Sequence, residues 1–171
     1  MPPPESLEAL FSEHHAAIYR AAYRVTGSTA DAEDVLQTVF LRLVRREEAI
    51  DLGRGASAYL RRAAVNAALD LCRSRRRQRS TAIDDVEEAA LEDHEPDPER
   101  AHRSREARGL VRDSLAELPA RAAEIFALRY FEGLGNKEIA QLMRTTQTAI
   151  AVTLHRTRAK LQKDLGALVG G

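Results

Sequence analysis

The sequence predicts an all-α protein: two small helical domains, residues 1–80 and 106–171, joined by a flexible acidic linker over residues 81–105. Three observations lead there. Apolar residues recur at helical spacing along most of the chain, and strand-like alternation is absent. Ala, Leu, Arg and Glu dominate, and all four are good helix formers. The composition also breaks sharply between two otherwise similar halves.

That break hides in a net charge of zero over 171 residues. Residues 1–80 carry a net +3, residues 81–105 a net −6, and residues 106–171 again +3. Such a basic–acidic–basic layout points to a polyanionic partner. No run of about 18 apolar residues is present to insert into a membrane. The segment Met1–Leu10 lacks the basic-then-apolar order of a secretory signal. A lone Cys72 rules out an internal disulfide framework, and the scattered histidines offer no zinc-ligand spacing. The expected compartment is the cytoplasm, and no cofactor or metal is expected.

The first helix is expected from Ser6 to Thr26, with Leu7, Leu10, Phe11, Ile18, Ala21, Ala22 and Val25 on its apolar stripe. Gly27 closes it as a C′ residue. Ser28, Thr29 and Asp31 supply caps for a second helix, expected over Asp31–Arg46. Its apolar positions are Ala32, Val35, Leu36, Val39, Phe40 and Leu43. Glu47–Ser57, with Gly53 and Gly55, reads as a loop. A third helix follows, with Leu60, Ala63, Ala64, Ala67 and Leu71 inward, and runs into the arginines between Arg73 and Arg79. Asp84–Glu99 then holds nine acids in sixteen residues and few large apolar groups. Too little can be buried there to offset the entropy of ordering, which is the case for a flexible linker.

Four helices are expected in the second half: Glu106–Leu118, Ala120–Glu132, Asn136–Met143, and Thr146 to about Leu165. The last two are separated only by Arg144 and Thr145, a helix-turn-helix spacing. Its core would be Ile139, Ala140, Leu142, Ile150 and Leu154, with Ala140 at the close crossing. The outer face would carry Gln147, Thr148, Ala151, Val152, His155 and Arg156, and the amides at Thr146–Thr148 suit a phosphate. Gln can pair with adenine, and Arg with guanine or phosphate. On the third helix Arg62, Asn66, Asp70, Arg73 and Arg77 share one face. That suits a nucleic-acid backbone with one base read by Asn66, or equally a solvated face with an Asp70–Arg73 ion pair.

These residues carry a family resemblance. Residues 19–45, YRAAYRVTGSTADAEDVLQTVFLRLVR, resemble the sigma-factor segment that holds core RNA polymerase. Residues 58–77, AYLRRAAVNAALDLCRSRRR, are similar to the segment that melts and reads the −10 promoter element. LAELPARAAEIFALRYFEGLGNKEIAQLM and TLHRTRAKL, residues 115–143 and 153–161, look like the −35-binding domain of the extracytoplasmic-function (ECF) sigma factors, in the sigma-70 family. The resemblance implies a transcription initiation factor whose partners are core polymerase, promoter DNA and an anti-sigma factor. It places the core-polymerase contact at Asp34, Gln37, Leu41 and Arg42. It places −10 DNA at Arg61, Arg62, Asn66, Arg73, Arg76 and Arg77, and −35 DNA at Thr146, Gln147, Thr148, Ala151, Val152, His155 and Arg156. In the family the acidic linker threads polymerase channels.

Several positions depart from the family's usual residues. Thr38 stands for Glu, Tyr59 for Trp, and Arg144 for a turn Gly. Ala151-Val152 replace a basic and a small polar residue, and Thr153 replaces an Arg, which leaves the reading helix short of cations. Cys72 lies among Arg73, Arg75 and Arg76, which could lower a thiol pKa and suit a redox sensor, but the favoured reading is a small buried apolar residue opposite the reading face. On the residues alone, an autonomous helix-turn-helix regulator that binds duplex DNA without polymerase is the alternative function. An enzyme lacks its inventory: no Gly-rich phosphate loop and no Ser/Cys–His pairing can be placed.

Overall fold

The computed structural model describes residues 7–45, 55–81 and 97–169, and these form seven helices with no strand among the described residues. α1 spans Leu7–Thr26 and stops where expected. Gly27 takes φ 66°, in the left-handed region, and its N–H donates to the Tyr23 carbonyl at 2.8 Å. α2, Thr29–Arg45, begins earlier than the apolar pattern suggests, because Ser28 caps it: its Oγ accepts from the Asp31 N–H at 3.2 Å. α3, Ala56–Thr81, is the long helix of the molecule, about 39 Å at 1.5 Å per residue. Its start takes in the last two residues of the expected Glu47–Ser57 loop, Ala56 and Ser57, and the rest of that loop falls largely outside the described residues.

The three helices close on Ile18, Val25, Val35, Val39, Leu60, Val65 and Leu69, all nearly inaccessible to solvent. Small residues let them approach: Ala21, Ala22, Ala32, Ala64 and Ala68 are buried at the contacts. With no Trp in the chain, dense packing of Ala against Val and Leu does the filling.

The expected linker lies mostly outside the described residues, which resume at Asp97. α4 covers Pro98–Glu117, so residues 98–105 are helical rather than linker. The reason is local. Asp97 Oδ1 accepts from the Glu99 N–H at 3.2 Å, and Pro98 sits at the first helical position. α5 spans Ala120–Tyr130, and the turn that follows it passes through Gly133, φ 69°, with the Leu134 N–H reaching back to the Leu128 carbonyl at 3.0 Å. α6 is Asn136–Leu142 and α7 is Gln147–Val169. Ile139, Ala140, Ile150 and Leu154 form the core of the α6–α7 pair as the spacing predicts, with Leu142 half-buried beside them.

The two halves do not stand apart. α3 packs against α4 and α5, and the apolar core is continuous across them.

Candidate nucleic-acid interface

Two polar faces were singled out in the sequence, on α3 and α7, and a third surface on α2. On α2, Val35 and Val39 turn inward while Asp34, Gln37, Leu41 and Arg42 are exposed. Leu41 is 52% exposed, and with Val44 and Phe11 it leaves an apolar strip at that end of the bundle.

On α7 the outer face is open. Thr146, Gln147, Thr148, Ala151, Val152, His155 and Arg156 are all exposed, on the side opposite Ile150, Leu154 and Leu161. Thr146 caps the helix, its Oγ1 accepting from the Ala149 N–H at 3.1 Å. The turn before it is tight: the Thr145 N–H donates to the Ala140 carbonyl at 2.9 Å and Arg144 sits at φ 56°. That is the conformation a glycine would adopt freely, held here by a charged side chain.

The α3 face is different, because carboxylates of the C-terminal half cover it. Arg62 pairs with Glu124 through Nε and donates to the Leu142 carbonyl at 3.2 Å. Asn66 Nδ2 donates to the same Glu124 Oε1 at 3.1 Å. Arg61 pairs with Glu132 Oε2 at 3.3 Å and donates to the Glu132 carbonyl; Arg24 of α1 reaches the same Oε2 at 2.9 Å. Further along, Arg76 pairs with Glu117 and donates to the Asp113 carbonyl at 3.2 Å, and Arg79 meets Asp113 at 3.1 Å. Arg73 pairs with Asp70 at 3.1 Å, the ion pair the spacing allowed, and Arg77 is exposed. The Glu132 side chain is 1% exposed.

The acidic partners were missed in the sequence. Glu124 offered a signal: it lies at helical spacing with Leu128, among Ala123, Ile125 and Ala127, where a surface acid is out of place. A carboxylate on a buried face calls for a cation from elsewhere.

Cys72 follows the reading as a small buried residue rather than an acidified thiol. Burial pushes its pKa up from 9.0 to about 11, outweighing the opposing pull of Arg112. Its Sγ lies 3.8 Å from the Val25 carbonyl, on the side of α3 that packs on α1. The neighbouring arginines point away: Arg73 to Asp70, Arg75 to Asp31, Arg76 to Glu117. Arg112 instead lies over Gly27 and donates to the Thr26 carbonyl at 3.0 Å.

No group of three His, Cys, Asp or Glu side chains suited to a metal occurs among the described residues, and no described helix is long and apolar enough to cross a membrane.

Residues 10–78 match Sigma-70 region 2, and residues 108–161 match Sigma-70, region 4. The chain is 33% identical over 163 residues to ECF RNA polymerase sigma factor SigL of Mycobacterium tuberculosis, covering 95% of this chain and 90% of that one. It is 30% identical over 151 residues to the RNA polymerase sigma-E factor of Streptomyces coelicolor, 88% and 81% of the two chains. Among solved structures it is similar to CnrH in complex with the cytosolic domain of CnrY, with TM-score 0.57, 21% identity, and 94% and 88% of the chains covered. It is also similar to the sigma factor RpoE of Bartonella quintana in complex with the anti-sigma factor NepR, with TM-score 0.52, 17% identity, and 92% and 95% covered.

Proposed function

The chain belongs to the extracytoplasmic-function sigma factors of the sigma-70 family, a class of transcription initiation factors, and from that premise we propose how its two halves divide the work. The observation that carries the reading is the presence of region 2 and region 4 in order on one chain. The N-terminal half, residues 1–80, binds core RNA polymerase and takes the −10 element. The C-terminal half binds the −35 element, and its unit begins at Asp97, where α4 is capped. The residues between are the link that the family threads through polymerase.

On α2 the exposed Asp34, Gln37, Leu41 and Arg42 form the polymerase contact, since the buried Val35 and Val39 leave that side free. On α7 the open face enters the major groove. Gln147, His155 and Arg156 contact base edges or phosphate, Ala151 and Val152 are placed for thymine methyls, and Thr146 and Thr148 flank a phosphate at the helix start. On α3, Asn66 reads a base extruded from the stack, between the arginines Arg61 and Arg62 on one side and Arg73, Arg76 and Arg77 on the other. Extruding a base costs a few kcal/mol, which the contacts of that face must offset. The protein acts in the cytoplasm, with polymerase and the chromosome, and is held in reserve by an anti-sigma factor, as the relatives solved with CnrY and NepR suggest by analogy.

Run-off transcription with core polymerase on a genomic library tests the reading and reports the promoter. Discrete transcripts that require the protein are expected; none would refute it. Replacing Gln37 and Arg42 together by Ala should abolish core binding with helical content unchanged. Asn66→Ala should lose open-complex formation on duplex promoters and recover on a pre-melted bubble.

A further inference from the structure

Arg144 combines a strained backbone with an exposed charge. At φ 56° it is the one residue other than glycine in the left-handed region among the described residues. An L-residue held there carries a cost, and such outliers persist where the surroundings impose them, often at sites that clamp a ligand. The turn is fixed by backbone, with the Thr145 N–H on the Ala140 carbonyl at 2.9 Å, so it requires the conformation and not the guanidinium. The Arg144 side chain is exposed and has no hydrogen bond or ion pair among the described residues. Arg61, Arg62 and Arg76 on α3, by contrast, all meet carboxylates.

The open face of α7 has no cation at its start. Thr146, Gln147, Thr148, Ala151 and Val152 are neutral, and the first arginine, Arg156, comes nine residues after Gln147, about 14 Å along the helix. Arg144 stands two residues before the Thr146 cap, within about 7 Å of chain. The surrounding charge is of one sign. From Gly135 to Lys163 there are six Lys or Arg side chains and a single acid, Glu138. That acid is turned to its own helix start, where its Oε1 accepts from the Gly135 N–H at 3.4 Å. We propose that Arg144 is a further DNA contact, whose guanidinium clamps a backbone phosphate at the start of α7 and supplies the charge that the reading face lacks there. The inference rests on the reading of α7 as the helix that enters the groove. A guanidinium pairs with two phosphate oxygens at once, and a phosphate carries no base identity. Arg144 therefore adds affinity and register, while sequence preference stays with the base-facing residues of α7.

The test titrates the full chain against two labelled duplexes of about 25 base pairs, followed by anisotropy over a tenfold range of salt. One duplex carries the −35 element found by run-off transcription, and the other is unrelated in sequence. Arg144→Gln should make the slope of log affinity against log salt shallower by about 0.9 on both duplexes, about eightfold in affinity across that range, and leave the ratio of the two affinities unchanged. Arg144→Lys keeps the charge and should keep the slope. Arg144→Gly should lose the same slope although it relaxes the turn, which separates the charge from the strain. Lys160→Gln removes an equal charge about 20 Å beyond Gln147 on α7 and should barely move the slope. Circular dichroism checks the fold of each variant. An equal loss of slope in Lys160→Gln would reveal bulk charge instead of a contact, and would overturn the proposal. So would an unchanged slope in Arg144→Gln; if Arg156→Ala still lowers the ratio of the two affinities, the reading of α7 stands without Arg144. If neither arginine matters, α7 is out of the groove and both fall.

Discussion

α3 and α7 look alike in sequence: each buries one apolar face in its own bundle and turns a polar, Arg-bearing face outward. In the folded protein they differ. The face of α7 is open along its length, with Val152 43% exposed. The face of α3 lies under α4 and α5, where the side chains of Arg61 and Arg62 are only 25% and 32% exposed. A helical stripe thus tells which side a helix withholds from its own bundle. It does not tell whether that side meets water, another domain or a ligand. One of these faces is open as it stands, and the other is already paired with carboxylates of the C-terminal half.

The largest expected difference between the two helices is chemical reactivity. The Cys72 thiol on α3, pushed up to about 11, holds roughly a thousandth of its population as thiolate at pH 8, whereas an ordinary thiol of pKa 8.5 holds about a quarter. Reaction with a disulfide reagent at pH 8 should therefore be about 100-fold slower at Cys72 than at Ala151→Cys on the open face of α7, made with Cys72→Ala. Similar rates would show that Cys72 is not buried between α3 and α1. The sign for stability follows from the same shift. The thiol keeps its proton longer folded than unfolded, so its contribution is intact below about pH 9 and is lost as pH rises toward 11, by at most about 3 kcal/mol. Cys72→Ala should flatten that alkaline decline in urea titrations.

The next effect lies on α7. If Arg156 contacts a base edge, Arg156→Ala should cost about 1–3 kcal/mol of discrimination between the selected −35 duplex and unrelated DNA. Equal affinity for both duplexes before and after the change would take α7 out of the groove. A smaller effect is expected from restoring a cation. Ala151→Lys should add about 0.9 to the slope of log affinity against log salt, or about eightfold across a tenfold salt range, and should raise affinity for unrelated DNA as well. An unchanged slope would mean that position 151 faces no phosphate.

Much of this was legible in the sequence because it is local. Gly27 and Gly133 stand in the turns that follow helices, Ala32–Val35–Val39 face inward, and the tight spacing around Arg144 and Thr145 places α7 across α6. The start of α4 was legible too, in Asp97-Pro98, but the acidic composition of its surroundings overrode the capping signal. The cover on α3 was not legible. It joins residues 58 to 71 positions apart, such as Arg62 to Glu124 and Arg61 to Glu132, and no local pattern encodes such a pairing. At Cys72 the two signals in the sequence competed, and the apolar spacing outweighed the arginines: its neighbours in space are the backbone of α1 and a desolvating core.

The smallest expected effect compares two turns with the same backbone conformation. Gly27 and Arg144 both lie in the left-handed region, at φ 66° and 56°. At Gly27 a Cβ would fall 2.7 Å from the Arg112 guanidinium carbon, the mobile end of a long side chain that can swing aside, so the turn needs glycine chiefly for its conformation. Gly27→Ala should therefore destabilise the protein through the strain of an L-residue at positive φ. At Arg144 the side chain is exposed, and the backbone carries the strain of an L-residue at positive φ, of order 1 kcal/mol. Arg144→Gly relieves that strain but adds freedom to the unfolded chain, leaving a net gain of about 0.5 kcal/mol. Thermal unfolding should rise by about 1–2 °C, the shift expected for a chain of this size. A lower melting temperature would show that the Arg144 side chain makes a contact worth more than its strain, and that the α6–α7 turn is covered, as the Gly27 turn is.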